Sequence, residues 1–192
     1  KNGYELCATL KQDERTSHIP IILLTAKADF ESKMKGLKLG ADNYLQKPFN
    51  QEELVLRLNN LIQLQKKQQQ RYARLDRLPT IVNPTENIED AFVLKIQEFI
   101  LKNLDNEELN VHDIAKTVFL SRTQVHRKLK ALTGMSTSQF IRTIRLNKAM
   151  ELLQSTQKSI AEIAFETGFK NPNYFSRVFA EQFGQPATSI RK

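Results

Sequence analysis

The sequence predicts an α/β segment with an incomplete parallel sheet, followed by an all-α domain that carries two helix-turn-helix motifs. Three observations lead there. Between Lys1 and about Tyr72, short apolar β-rich runs alternate with helical periodicity in the order αβαβα, an order that implies an open parallel sheet. From Ile88 onward only helical periodicity occurs, punctuated by capping boxes. Within that second region one unit occurs twice: a short capped helix, a tight turn, and a second capped helix with a polar outer face.

In the first segment, Leu6, Cys7 and Leu10 mark a short helix over Tyr4 to Leu10, and the run Ile19-Pro20-Ile21-Ile22-Leu23-Leu24 suits a buried parallel strand. Asp29 to Leu39 carries Phe30, Met34 and Leu37 at helical spacing, and Gly40 stops it before a brief strand at Tyr44-Leu45. Lys47-Pro48-Phe49 ends that strand. Asn50 then caps a longer helix with Leu54, Leu58, Leu61 and Leu64 every three or four positions.

Gln65 to Arg77 extends this helix with Leu64, Tyr72, Leu75 and Leu78 at heptad-like intervals. A signalling coiled-coil seam is one reading. The repeat is short for that, so we read a solvated helical tail fraying into a linker. Two prolines in PTIVNPTEN, Pro79 to Asn87, break any helix. The domains are therefore 1–72 and 88–192, with 73–87 as linker. Phe92, Ile96, Phe99 and Ile100 mark the first helix of the second domain, which packs under the helix-turn-helix.

Asn110 caps the next helix, with Asp113 in its first turn and Ile114 and Val118 facing inward. Ser121-Arg122-Thr123-Gln124 is a capping box that opens a helix closed by Gly134. Val125, Leu129 and Leu132 recur toward the core, leaving Arg122, Thr123, His126, Arg127 and Lys130 on or beside the outer face. Ser136 to Gln139 caps a connector helix with Phe140, Ile141, Ile144, Leu146, Ala149, Leu152 and Leu153 buried. Ser159 to Glu162 caps the first helix of the second motif, and Asn171-Pro172 opens its recognition helix. There Phe175, Val178 and Phe179 anchor the inside, and Asn173, Tyr174 and Arg177 remain outside. A connector of about 17 residues spans about 26 Å. Successive major grooves on one face of B-DNA lie about 34 Å apart, so both recognition helices can reach them with some bending of the DNA.

Charge agrees with this placement. The 192 residues carry a formal +8. Lys1 to Asn110 holds 16 basic and 16 acidic residues, whereas Val111 to Lys192 holds 13 basic and 5 acidic. A localised basic excess is what counterion release from nucleic acid requires. With 40% apolar residues the chain can build real cores. Cys7 is the single cysteine and reads as a buried packing residue; His18, His112 and His126 lack thiol or carboxylate partners at ligand spacing, so no metal site is expected. No nucleophile with a base and no phosphate-cradling glycine loop is present, which argues against an enzyme and leaves no catalytic residue to name. There is no apolar run near 18 residues and no signal peptide, so we expect a cytoplasmic protein, or the cytoplasmic end of a membrane-anchored sensor. The chain begins with Lys1, and we read it as part of something longer.

The motifs NGYEL, PIILLTAK and GLKLGADNYLQKPF, with the helix after them, resemble the C-terminal half of a response-regulator receiver domain. The resemblance implies that Thr25 and Lys47 contact a phosphoryl group and that Tyr44 relays the signal; a hydroxyl and an ammonium suit that charge. It also implies Mg2+ in a complete receiver. The phosphoacceptor aspartate and the acidic Mg2+ ligands precede NGYEL in that family, so no phosphoacceptor and no cofactor are expected in this chain. With two of five strands, the segment is expected to be poorly stable alone.

DIAKTVFLSRTQVHRKLKALTG and IAEIAFETGFKNPNYFSRVFAEQFGQPATSIRK resemble the AraC/XylS-type DNA-binding domain over Leu109 to Lys192. By that pattern Thr123, His126, Arg127, Asn173, Tyr174 and Arg177 contact bases. Arg127 is the candidate for bidentate bonding to guanine, and Arg122, Lys128, Lys130, Arg142 and Arg145 are assigned to phosphates. Phe119 departs from the pattern, which often has a turn glycine there. A bulky residue implies that the first turn either avoids positive φ or holds some strain. The expected function is a sequence-specific transcription regulator at the output end of a two-component phosphorelay protein, as in hybrid proteins. Its expected partners are double-stranded DNA, a histidine kinase module, and either a second copy or other parts of a parent chain. The alternative is a phosphorylation-independent adaptor that binds protein through the half-receiver and the helix after it.

Overall fold

The computed structural model describes residues 2–26, 34, 36–73 and 87–190. Helix α1 (Gly3–Gln12) begins at a capping box in which Asn2 and Glu5 satisfy each other's backbone amides. Strands β1 (Ile22–Thr25) and β2 (Asn43–Gln46) pair in parallel, with Leu23 opposite Tyr44 and Thr25 opposite Gln46. Lys11 ties α1 to the start of β2 through Asp42 at 2.6 Å, and Asp42 in turn accepts from the Ile21 amide at 2.7 Å. The helix expected over Asp29 to Leu39 falls largely outside the described residues; Met34 and 36–38 are helical. Cys7, Tyr44 and Leu45 are buried, while Leu6 and Leu24 are about half exposed. Parallel strands are normally covered on both faces, so the exposure of Leu24 on β1 is unusual for such a strand.

Helix α2 (Gln51–Ala73) starts where Asn50 accepts from the Glu52 amide. Its C-terminal part was expected to fray into solvent. It runs instead as regular helix to Ala73 and lies against the helical domain, burying Tyr72 completely in that domain's core. The hydroxyl of Tyr72 donates to Asp90, which also accepts from Arg71 at 2.9 Å. The linker placed at 73–87 falls mainly on residues 74–86, which lie outside the described set.

The helical domain comprises α3 (Ile88–Lys102), α4 (Val111–Thr117), α5 (Arg122–Thr133), α6 (Thr137–Ser155), α7 (Ile160–Glu166) and α8 (Pro172–Phe183), with a 3-10 turn at Ala187–Ser189. Every cap read from the sequence forms: Asn110, Ser121, Ser136 and Ser159 each complete a capping box, and Asn171 accepts from the amides of Asn173 and Tyr174. Such caps each stabilise a helix by about 1 kcal/mol. Short helices such as α4 and α7 need them, because helices of this length do not persist on propensity alone.

Two cores result. The first gathers Phe92, Ile96 and Ile100 from α3 with Ile114, Val125, Leu129 and Leu132 of the first motif. The second gathers Ile163, Phe169, Phe175, Val178 and Phe179 of the second motif. Helix α6 belongs to both, giving Phe140, Ile141 and Ile144 to the first and Leu146, Ala149 and Leu153 to the second. Because each of the larger of these side chains contributes about 1.5–3 kcal/mol by burial, both ends of the connector are fixed to the motif they carry.

Candidate nucleic-acid interface

The first recognition helix is α5. Val125, Lys128, Leu129 and Leu132 occupy its inner stripe at helical spacing, and Arg122, Thr123, His126, Arg127 and Lys130 are exposed. Gly134 in the left-handed conformation closes it. The second recognition helix is α8, where Phe175, Val178 and Phe179 face inward and Asn173, Tyr174 and Arg177 are exposed. All six side chains assigned to bases thus stand on the outer faces of two helices whose N-termini carry the positive end of the dipole.

The second face is partly organised. The Tyr174 ring lies 6.3 Å from Phe169, its hydroxyl accepts from Arg142 Nη1 at 3.4 Å, and the Arg177 guanidinium sits 5.4 Å above it. Tyr174 still exposes 41% of its surface. Arg177 approaches Glu181 at only 4.0 Å, with both side chains largely in water. An exposed i,i+4 pair of this kind is worth a few tenths of a kcal/mol and leaves Arg177 available to a ligand.

Two of the residues assigned to phosphates are corrected by their burial. Lys128 is fully buried; its ammonium donates to the Glu14 carbonyl at 2.6 Å and to Ser17 Oγ at 3.3 Å, pairs with Glu89 at 3.3 Å and lies 4.6 Å over the Phe92 ring. Arg145 is also buried, donating from Nη1 to the Gly168 carbonyl at 2.9 Å and from Nη2 to the Asn106 carbonyl at 2.6 Å. Burial pushes its guanidinium pKa down from the ordinary value. A buried cation persists when most of its donors meet acceptors; Arg145 sets both terminal nitrogens on carbonyls, while its Nε is buried without a hydrogen-bond partner among the described residues. Arg142 is half-buried beside Tyr174, and Arg122 and Lys130 are exposed.

The turns of the two motifs differ. Phe119 has φ +55° and is 88% exposed, whereas Gly168, at the equivalent turn, has φ +77° and is buried. The first turn therefore does not avoid positive φ; it places a phenylalanine there, with Lys95 Nζ 5.3 Å over the ring. At Gly168 a Cβ would stand 2.4 Å from the Leu104 carbonyl oxygen and 2.6 Å from the Arg145 guanidinium carbon. Only glycine fits.

In the N-terminal segment, Thr25 and Lys47 are brought together at the same end of the parallel pair, where the Lys47 amide donates to the Thr25 carbonyl at 2.6 Å. Tyr44 lies buried in β2. Sequence reasoning missed the contact between this segment and α5. Gln69 Nε2 donates to the Ala131 carbonyl at 3.0 Å, and Gln65 approaches the same oxygen at 3.5 Å. A signal existed: Lys128 falls three after Val125 and four before Leu132, on the apolar stripe.

Residues 1–59 match the family model of the response regulator receiver domain, and residues 114–192 match that of a helix-turn-helix domain. The chain is 33% identical over 183 residues, 95% of its length, to histidine kinase P4 of Formosa agariphila, of which it spans 13%. It is 51% identical over 61 residues to the phosphate regulon transcriptional regulatory protein PhoB of Pseudomonas aeruginosa, covering 32% of this chain and 27% of that protein. Among solved structures, a transcriptional regulator with an AraC-type DNA-binding domain from Chromobacterium violaceum is similar at 32% identity and a TM-score of 0.50, covering 53% of this chain and 89% of that one. Residues 1–59 are thus similar to the response regulator receiver domain, and through residues 114–192 the chain belongs to the AraC-type helix-turn-helix family.

Proposed function

We propose that the chain is the output segment of a two-component phosphorelay protein and that it regulates transcription by binding a specific site on double-stranded DNA. The observation that carries this is the pair of exposed recognition faces on α5 and α8, held by one 19-residue helix that is built into both cores. At 1.5 Å per residue that helix is about 28 Å long, against about 34 Å between successive major grooves. A modest bend in the DNA closes the gap. Thr123, His126 and Arg127 would read one groove and Asn173, Tyr174 and Arg177 the next, with Arg122, Lys130 and Arg142 on phosphates. Because the two faces differ, the site is asymmetric and needs only one copy. DNA reading of this kind uses no cofactor and no catalysis by these residues.

The likeness to a histidine kinase over nearly the whole chain supports a phosphorelay setting, in which a kinase module supplies the phosphoryl group. Thr25 and Lys47, adjacent at the strand ends, would respond to phosphate and Tyr44 would relay it; Mg2+ would be held by the acidic residues of a complete receiver. No helix among the described residues is long and apolar enough to cross a membrane.

Selection of bound duplexes from a random pool tests the reading. Two unlike recognition elements about one helical turn apart are expected, and inserting half a turn between them should abolish binding. Recovery of a single short element, indifferent to such insertion, would overturn it.

A further inference from the structure

We propose that the receiver segment docks on the rear of the first recognition helix and that this contact is energetically coupled to DNA binding, a coupling that rests on the DNA-binding reading above. The contact has two parts. At the C-terminal end of α5, the last carbonyls have no partner within the helix. The side-chain amides of Gln65 and Gln69 on α2 supply donors to Ala131, and Gln69 also approaches the Lys130 carbonyl at 3.5 Å. Midway along α5, Lys128 places its ammonium among Glu14, Ser17 and Glu89. Two of those three partners belong to the N-terminal segment. If that segment leaves, the ammonium loses its cover and two acceptors, keeps Glu89 and the Phe92 ring, and must recruit water or move its helix.

The other end of α2 is tied to the sheet. Arg57 bonds both Glu53 on its own helix and the side chain of Asn43 in β2. Asn43 immediately precedes Tyr44. A continuous set of bonded contacts therefore runs from the strand carrying Tyr44, through α2, to the helix carrying Thr123, His126 and Arg127. The exposure of the reading face supports a positive sign. Docking uses Lys128 and the end of α5, whereas the base-reading side chains stay exposed. The docked segment therefore does not cover the reading face; it holds α5 in place, and coupling is positive. By linkage, DNA must then strengthen docking by the same factor by which docking strengthens DNA binding.

The test uses the whole 192-residue chain and its selected duplex. Hydrogen exchange reports docking through the amides of 51–73, and titration reports affinity. The double variant Gln65→Ala/Gln69→Ala removes the amide donors without touching the core, and Lys128→Met keeps an unbranched side chain of similar length while removing the ammonium and its contact with the Phe92 ring. Gln70→Ala, on the exposed side of α2, is the control. We expect DNA to slow exchange along 51–73 in the wild type. Both docking variants should speed that exchange and weaken DNA binding about fivefold or more, with the control unchanged. Faster exchange with unaltered DNA affinity, or wild-type exchange indifferent to DNA, would overturn the coupling. A wild-type chain that binds no duplex at all would instead overturn the DNA-binding reading.

Discussion

Arg145 and Gly168 are locked together: the guanidinium donates to the glycine carbonyl at 2.9 Å, and the missing Cβ of the glycine is the space that the guanidinium occupies. Gly168→Ala should therefore destabilise the domain by about 3 kcal/mol, since one obstructing atom is a backbone carbonyl that cannot move aside. Phe119 makes the contrast. Phe119→Gly relieves about 1–2 kcal/mol of left-handed strain, but loses about 0.5–1 kcal/mol to glycine entropy and a similar amount from the Lys95 contact. Its net effect should lie within about 1 kcal/mol of zero. Chemical denaturation of both variants checks the pair.

Arg145→Met should lower stability by about 2–4 kcal/mol, because it leaves the carbonyls of Gly168 and Asn106 without their donor. The slope of DNA affinity against salt should stay as in the wild type. A residue on a phosphate would do the reverse, flattening the slope and leaving stability nearly unchanged. Measuring both quantities on the same variant separates the two roles.

His18, beside the docking contact, gives folding stability a pH dependence. The side chain is half-buried among Lys11, Asp42, Glu89 and Lys128, and desolvation lowers its pKa. The unfolded chain then binds more protons than the folded one near the ordinary histidine value of about 6.5. Stability should be full above that value, fall as pH drops through it, and level off below the depressed folded pKa. His18→Gln should remove this component of the pH dependence, as followed by thermal unfolding between about pH 7 and 5.

Much of the fold was legible because caps are local. Ser121 with Gln124, Ser136 with Gln139 and Ser159 with Glu162 lie three residues apart, so spacing alone identified helix starts, and the same spacing placed Thr123 and Arg127 on an outer face. Lys128 and Arg145 were misplaced for a physical reason. A charge is assigned outward by default, and the acceptors that permit burial lie 114 residues away for Lys128 and 39 and 23 away for Arg145. The polar stretch from Gln65 to Gln69 misled in the same manner. Glutamine is polar enough to look solvated, yet its amide serves the Ala131 carbonyl, which the Gly134 cap leaves over at the end of α5.

If α5 and α8 read DNA through named side chains, Arg127→Ala and Lys130→Ala must differ in kind. Titrated on the selected site and on an unrelated duplex over a range of salt, Arg127→Ala should lose about 1–3 kcal/mol on the selected site alone, and Lys130→Ala should weaken both duplexes alike and reduce the salt slope by about one. Equal affinity of the wild type for every duplex, with Arg127→Ala indistinguishable from it, would mean that these faces do not read sequence.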